Sequence, residues 1–176
     1  MRWMWIDRVL ELVPGRRLVA IKNIALAEGH LHDHFAADRA RGLEALPVMP
    51  ASLVIEGMAQ SAGVLVGQAT GFTRPVILAK ITRAELGRDA GPGMTLRYTT
   101  TLERLDGSGA ATAGTVDVLD HADPAAGFTP MGSVDLMFGV LEAGGPGNGG
   151  GGASNFVLSD LFRTLLRTSA IDLGTA

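Results

Sequence analysis

The stretch that decides the fold is ASLVIEGMAQSAGVLVGQAT, residues 51–70, which follows Pro50. It is long enough for about five turns of α-helix, and few of its residues other than glycine disfavour one. Its apolar residues occupy most faces, which is typical of a helix that is buried nearly all round. We therefore expect a long central helix, with Ser52 as its N-cap and Gly71 as its stop.

Strand patterns lie on both sides of this segment. Two apolar runs, Trp3–Val13 and Leu18–Leu26, flank Pro14-Gly15 and predict a hairpin, whereas residues 28–47 look irregular. The later runs predict antiparallel strands at Val76–Leu86, Met94–Leu105, Gly109–Leu119 and Phe128–Leu141. A hairpin, one buried helix and three or four further strands predict an α+β fold in which an antiparallel sheet wraps around the helix.

The end of the chain has a different composition. Residues 144–152 contain seven glycines and predict a flexible linker. Beyond them, apolar residues recur at helical spacing and predict a short amphipathic helix, which we expect to pack on its own sheet or dimer rather than bind another partner. We therefore expect three parts, namely a domain over 1–142, a glycine-rich linker over 143–153, and a terminal helix and tail over 154–176.

The composition narrows the class of protein. With 47% hydrophobic and 19% charged residues the chain is globular, and a formal net charge of -3 without a long basic run argues against nucleic acid as a partner. The absence of cysteine excludes disulfides, thiolate metal sites and a cysteine nucleophile, and it fits a reducing compartment, so we expect a cytoplasmic protein. Asp7 comes too early for a signal peptide, and Glu56 and Gln60 interrupt the longest apolar stretch, so we expect no membrane span.

Glu56 is the first candidate for chemistry, because its neighbours Val54, Ile55 and Met58 are apolar. An ionised carboxylate is costly to bury, so this position favours a carboxylic acid that keeps its proton and acts as a general acid. On the helix alone, a glutamate satisfied by hydrogen bonds at a subunit contact is an equally good interpretation.

His34 is the second candidate, although a lone histidine near a turn is more often structural. It alternates with His30 and His32, which would place three imidazoles on one side of a strand, where they could bind a divalent cation. Because no fourth ligand is evident nearby, we expect no metal.

Both candidates lie in motifs that resemble those of the bacterial 3-hydroxyacyl-acyl-carrier-protein dehydratases. His34-Phe35 is similar to the family's His-Phe-Pro-Gly motif, and Pro47-Val48-Met49-Pro50, together with the start of the helix, resembles its second motif. Residues 6–12 and 22–24 resemble the family's opening, and the similarity covers about residues 3–141. Glutamate at position 56 matches the branch that only dehydrates, whereas the isomerising branch usually has aspartate there.

The resemblance implies a hot-dog fold, a homodimer or higher homo-oligomer, and dehydration of 3-hydroxyacyl thioesters on acyl carrier protein in fatty acid biosynthesis. His34 would remove a proton from C2, and Glu56 from the partner subunit would protonate the departing C3 hydroxyl. The backbone N–H of Ala51 would bind the thioester oxygen. No cofactor is implied, because the thioester itself acidifies the C2 proton. The other residues expected to contact the substrate are Phe35, Met49 and Gln60.

Docking of an acidic carrier on this acidic chain would need a local basic patch. The candidates for that patch are Arg83, Arg88, Arg97 and Arg104.

Departures from the family pattern leave other functions open. Ala36-Ala37 stands in place of Pro-Gly, Ala51 in place of glycine, and residues 38–42 look inserted. These changes motivate an alternative in which the chain is a catalytically impaired hot-dog subunit that serves as a binding or assembly partner. An acyl-CoA hydratase or a thioesterase on the same fold is a further alternative.

Overall fold

One antiparallel sheet encloses a long helix. A computed structural model describes residues 3–140 and 159–171, and within them the sheet has six strands in the order β1-β2-β4-β5-β6-β3. The strands are β1 Arg8–Val13, β2 Arg17–Asn23, β3 Val76–Leu86, β4 Met94–Leu105, β5 Gly109–Asp120 and β6 Thr129–Val140. The helices are α1 Gly29–Asp33, α2 Ala51–Ala69 and α3 Ser159–Thr168. The predicted α+β architecture, with a sheet around one central helix, is confirmed.

The central helix α2 is buried on most of its faces, as its apolar pattern predicts. It begins directly after Pro50, whose carbonyl accepts hydrogen bonds from the N–H groups of Leu53 and Val54. Ser52 therefore lies inside the first turn, and its assignment as the N-cap is wrong. Gly71 follows the last helical turn with φ +63°, a conformation that glycine adopts at little cost, so the predicted stop is confirmed.

The strands match their predicted positions within one residue except in the first hairpin, where β2 ends at Asn23 rather than at the predicted Leu26. Strand β1 begins at Arg8, so the prediction that the first strand runs from Trp3 is wrong over its first residues. Instead, Trp5 and Ile6 are buried against the core. Residues 28–47, which were expected to be irregular, contain the short helix α1. In the loop before β6, residues 124–126 form a 3₁₀ turn.

Close contact between α2 and β4 depends on Gly57. Tyr98 of β4 is fully buried, and its ring and hydroxyl occupy the space that a Cβ at position 57 would need. Burial raises the pKa of the Tyr98 hydroxyl far above its ordinary value. Gly57 follows Glu56 directly, so this contact fixes the depth at which the helix carries Glu56 inside the sheet.

Helix α3 packs against the edge strand β1. Phe162, Leu165 and Leu166 are buried in the same apolar core as α2 and the sheet. The Ser169 hydroxyl accepts a hydrogen bond from the Val9 backbone N–H at 3.0 Å and so supplies an acceptor to an edge strand. The predicted linker over 143–153 lies outside the described residues, and the division into a 1–142 domain and a terminal segment stays a prediction.

Truncation after Glu142 tests that division. We expect the shortened chain to keep a folded sheet and central helix, but with a free energy of unfolding lower by about 2–5 kcal/mol, because the burial of Phe162, Leu165 and Leu166 is lost. Urea denaturation followed by circular dichroism measures the loss. The exposed Arg167 on the same helix provides a control, since Arg167→Ala should change stability by less than about 0.5 kcal/mol. A truncated chain without a cooperative transition would show that α3 belongs to the folding unit.

Candidate active site

The Glu56 carboxyl group is held through one of its two oxygens. Glu56 lies in the second turn of α2 and is partly buried. Its Oε1 accepts a hydrogen bond from the Trp3 indole N–H at 3.1 Å and another from the Gln60 side-chain amide at 2.9 Å. Within the part of the chain that the structure describes, Oε2 receives no hydrogen bond. The carboxyl group is thus oriented, while Oε2 keeps its hydrogen-bonding capacity.

Gln60 joins the N-terminal segment to this carboxyl group. It lies one turn after Glu56 on the same face of α2, and its side chain is buried. Its Oε1 accepts the backbone N–H of Trp5 at 2.8 Å, and its amide also donates to the Trp3 carbonyl at 3.2 Å. Gln60 therefore aligns the segment that carries Trp3, and its predicted contact with the substrate stays a prediction.

His34 caps the end of α1 and is exposed. Its imidazole ring lies edge-on to the ring of Phe35, with centroids 4.4 Å apart. His30 and His32 lie within α1, so the interpretation of the three histidines as alternating along a strand is wrong. Side chains two positions apart point to different sides of a helix, so His32 does not share one side with His30 and His34.

His30 lies inside α1 and has a different environment from His34. Its ring packs edge-on against Trp5 with centroids 5.0 Å apart. Burial lowers the pKa of His30, the carboxylate of Glu28 opposes this, and the neighbouring Lys22 and His34 side chains lower it further. Burial beside Trp5 therefore disfavours the charged form of the His30 imidazole.

The beginning of α2 presents two unsatisfied backbone donors. In the described chain, the N–H groups of Ala51 and Ser52 bond to no backbone carbonyl. Ala51 also lines a cavity of about 280 Å³ together with Met49, whose side chain is buried. An N–H at a helix start can stabilise negative charge on an oxygen. The cavity is lined by Met49, Ala51, Val54, Leu86, Gly87, Arg88, Asp89 and Met131.

A buried ion-pair cluster, which sequence reasoning missed, fixes the element that carries His34. The Lys22 ammonium group is buried and contacts Glu28 at 2.6 Å and Asp7 at 3.4 Å. Glu28 precedes α1, and Asp7 precedes β1, so the cluster ties both segments to β2. The sequence feature that could have revealed this cluster is the alternation of side chains along β2. Lys22 continues the inward-facing series of Leu18 and Ala20, so the alternation places its side chain inside.

The segment that looks inserted forms a closed loop next to His34. Asp38 and Leu43 exchange two backbone hydrogen bonds, of 3.0 and 2.9 Å. At the base of the loop, the Leu46 N–H donates to the Phe35 carbonyl at 3.0 Å. The extra residues are therefore accommodated within their own loop, and the chain returns directly to the end of the His34-Phe35 motif.

The predicted site residues form three groups in a single chain. The first is Glu56 with Gln60, the second is Met49 with Ala51, and the third is His34 with Phe35. Within the described residues, the His34 ring and the Glu56 carboxyl group are not hydrogen-bonded to one another. This arrangement is compatible with a pair that forms between subunits, and the pairing itself stays a prediction.

A six-stranded antiparallel sheet wrapped around one helix is the hot-dog fold, and solved structures confirm this. The chain is similar to the dehydratase heterocomplex ApeI:P from Xenorhabdus doucetiae, with a TM-score of 0.58 and 14% identity over 80% of this chain and 84% of that one. It is also similar to a thioesterase-superfamily member from Thermus thermophilus, with a TM-score of 0.51 and 13% identity over 92% of this chain and 98% of that one. At these identities the likeness establishes the fold alone.

Sequence comparison identifies the family within this fold. The chain belongs to the FabA-like family, whose domain model matches residues 2–123. Two similar relatives are 3-hydroxyacyl-[acyl-carrier-protein] dehydratases FabZ. The enzyme of Granulibacter bethesdensis is 39% identical, over 54% of this chain and 53% of its own length. The enzyme of Rickettsia massiliae is 30% identical, over 73% of this chain and 85% of its own length. The suspected resemblance is thereby confirmed.

Proposed function

We propose that the chain dehydrates 3-hydroxyacyl thioesters on acyl carrier protein to trans-2-enoyl thioesters, as a hydro-lyase of fatty acid biosynthesis. Membership of the FabA-like family and the FabZ relatives at 30–39% identity support this. The observation that carries the proposal is the Glu56 carboxyl group, which two N–H donors orient through one oxygen while the other stays free of hydrogen bonds from the described residues. A general acid needs this combination of fixed orientation and a free oxygen.

The proposed reaction divides proton transfer between two side chains. The neutral His34 imidazole takes the proton from C2, and the electron pair of that C–H bond forms the double bond between C2 and C3. The C3–O bond breaks as Glu56 delivers its proton to the departing hydroxyl, which leaves as water. The N–H of Ala51 stabilises the negative charge that develops on the thioester oxygen. Proton exchange with solvent then returns the imidazolium and the carboxylate to their starting forms.

We further propose that the active protein is a homodimer formed through β3. This strand ends the sheet, and nearly all of its side chains are exposed on a single chain. They include the apolar Ile77 and Ile81, which are 51% and 44% exposed. An edge with apolar side chains and unpaired backbone groups suits pairing with the same edge of a second copy. The other edge, β1, already contacts α3.

Charge at this edge should separate the subunits. We expect the wild type to be at least a dimer at micromolar concentration and the variant Ile77→Asp/Ile81→Asp to be a monomer. Burial of unpaired carboxylates costs on the order of 3 kcal/mol or more, which corresponds to at least about a hundredfold weaker association. Light scattering coupled to gel filtration measures the mass. Leu10→Asp is the matched control, since Leu10 is 50% exposed on β1 and its replacement should leave the dimer intact. A monomeric wild type would contradict both the dimer and a site shared between subunits.

Arg88 is the favoured contact for the carrier-bound substrate among the four candidate arginines. Arg83, Arg97 and Arg104 pair with carboxylates at 2.8, 2.9 and 3.3 Å. Arg88 instead donates to the Thr129 hydroxyl at 3.0 Å and lines the cavity beside Ala51. Among the described residues, Arg88 forms no ion pair with a carboxylate, although Asp89 lines the same cavity, and we expect the substrate to enter there.

The function is tested with purified protein and thioesters of several chain lengths. We expect hydration of trans-2-enoyl groups and dehydration of 3-hydroxyacyl groups on acyl carrier protein, and weaker turnover on coenzyme A. Preference for coenzyme A would favour an acyl-CoA hydratase, and release of free thiol would favour a thioesterase. Inactivity on every thioester would favour the alternative of an impaired subunit that assists assembly. Among the described residues, no helix is long and apolar enough to cross a membrane. From the family's role in fatty acid biosynthesis, we propose that the reaction takes place in the cytoplasm.

A further inference from the structure

We propose that Trp3 is a positioning residue for Glu56, and that its indole N–H determines which oxygen of the carboxyl group carries the proton delivered to the substrate. The inference rests on the proposed function for its catalytic part, and on the geometry of the N-terminal segment for the rest. None of the sequence motifs includes Trp3.

The two hydrogen bonds to Glu56 come from different parts of the chain but end on the same atom. Gln60 approaches Oε1 from within the helix, and Trp3 approaches it from the segment that precedes β1. An N–H group can donate only to an oxygen lone pair, and the oxygen of a carboxylic acid that bears the proton is the poorer acceptor. The neutral acid is therefore stabilised with its carbonyl at Oε1 and its O–H at Oε2.

This choice of oxygen matters for catalysis. A carboxyl group free to rotate presents its proton on either oxygen and in several directions, and only one of these orientations faces the departing hydroxyl. Fixing the carbonyl oxygen removes the unproductive orientations before the substrate arrives, which raises the rate of proton transfer rather than the strength of substrate binding. Loss of the Trp3 bond should then lower kcat and leave KM nearly unchanged.

The segment that carries Trp3 is itself anchored. The Trp3 ring lies edge-on to the Trp5 ring, with centroids 5.3 Å apart. Trp5 is 5% exposed, whereas Trp3 is 55% exposed. Gln60 holds the backbone of both residues, at 2.8 Å to the Trp5 N–H and 3.2 Å to the Trp3 carbonyl. The indole of Trp3 is thus held at the rim of the site by a buried neighbour and can be altered with little effect on the core.

Two substitutions of Trp3 separate the hydrogen bond from the packing of the ring. Trp3→Phe keeps an aromatic ring against Trp5 but lacks the N–H, and Trp3→Ala lacks both. If the N–H positions Glu56, we expect both variants to lose about tenfold in kcat, with KM changed less than twofold. If only the ring matters, Trp3→Phe keeps the wild-type kcat and Trp3→Ala does not, and this result would overturn the proposal. Circular dichroism establishes that both variants are folded.

A measurement independent of activity tests the same bond. The chain has two tryptophans, and the indole N–H of Trp5 is buried without a hydrogen-bond partner among the described residues. A ¹⁵N-correlation spectrum should therefore show two indole signals, which Trp3→Phe assigns. We expect Glu56→Leu, which removes the acceptor, to move the Trp3 signal upfield and leave the Trp5 signal nearly in place. An unmoved Trp3 signal would overturn the proposal. An inactive wild type in which the Trp3 signal does move would contradict the proposed function and leave the hydrogen bond established.

Discussion

Replacement of Glu56 by glutamine is expected to lower kcat for hydration of trans-2-enoyl thioesters by about 10²–10⁴-fold while the protein stays folded. Glutamine preserves the shape of the side chain and an Oε1 atom that can accept the N–H bonds from Trp3 and Gln60. It cannot deliver or accept the proton that the reaction requires at C3. In the dehydration direction, expulsion of hydroxide without that proton is prohibitive at neutral pH. Hydration passes through the same transition state, so the loss should fall on kcat in both directions.

Glu103→Gln provides the matched control for this variant. Glu103 is an exposed glutamate on β4, and its replacement makes the same change of charge without touching the proposed site. We expect its rate to stay within twofold of the wild type. Steady-state kinetics on a carrier-protein thioester measure both variants. A Glu56→Gln protein that keeps near wild-type kcat would remove Glu56 from the role of general acid.

The pH profile provides a second measurement on Glu56. Dehydration of a 3-hydroxyacyl thioester needs a neutral imidazole and a protonated carboxyl group, so the wild-type dehydration rate should pass through a maximum. The acidic limb reports protonation of the base, and the alkaline limb reports loss of the proton from the acid. In Glu56→Gln, the alkaline limb should disappear from the residual rate, because the amide does not titrate, while the acidic limb remains.

Much of the fold could be predicted from periodicity. Strand β3 was predicted at Val76–Leu86 and is observed there, and the helix predicted from Ala51 to Thr70 ends one residue earlier. The helix has a clear pattern because it is buried in one continuous core, whereas β3 is exposed on a single chain and was predicted from its strand-forming residues alone. The family's paired motifs then located Glu56 on the helix and His34 before it. The confirmed hot-dog fold follows from the order of elements and from the resemblance together.

The features that were missed depend on contacts between distant parts of the chain. The Trp3 and Glu56 side chains are 53 positions apart, and only the folded sheet brings them together. Helix α1 is too short for its pattern to distinguish it from a loop, and its position depends on the Lys22 cluster. The terminal helix was expected to pack on its own sheet or dimer, but the strand that it contacts, β1, could not be predicted, because an amphipathic helix after a glycine-rich stretch has several surfaces available to it.

The second large effect is expected at His34. We expect His34→Ala to lower kcat by about 10²–10⁴-fold, because removal of the C2 proton needs a base whose neutral form is populated near pH 7, as that of imidazole is. His32→Ala is the matched control, since His32 is also exposed and lies on the same short helix, and its loss should change the rate less than twofold.

Two further measurements distinguish a base from a structural histidine at this position. His34 is exposed, so alanine leaves an opening that free imidazole can enter, and added imidazole should restore part of the lost rate in His34→Ala but not in Glu56→Gln. The double variant His34→Ala/Glu56→Gln should be little slower than either single variant, because both groups act on one elimination and their effects do not add. If His34→Ala instead keeps its rate, or if the two losses multiply, the two side chains do not form one catalytic pair. If it loses its fold, the histidine is structural, and the base has to be sought elsewhere in the site.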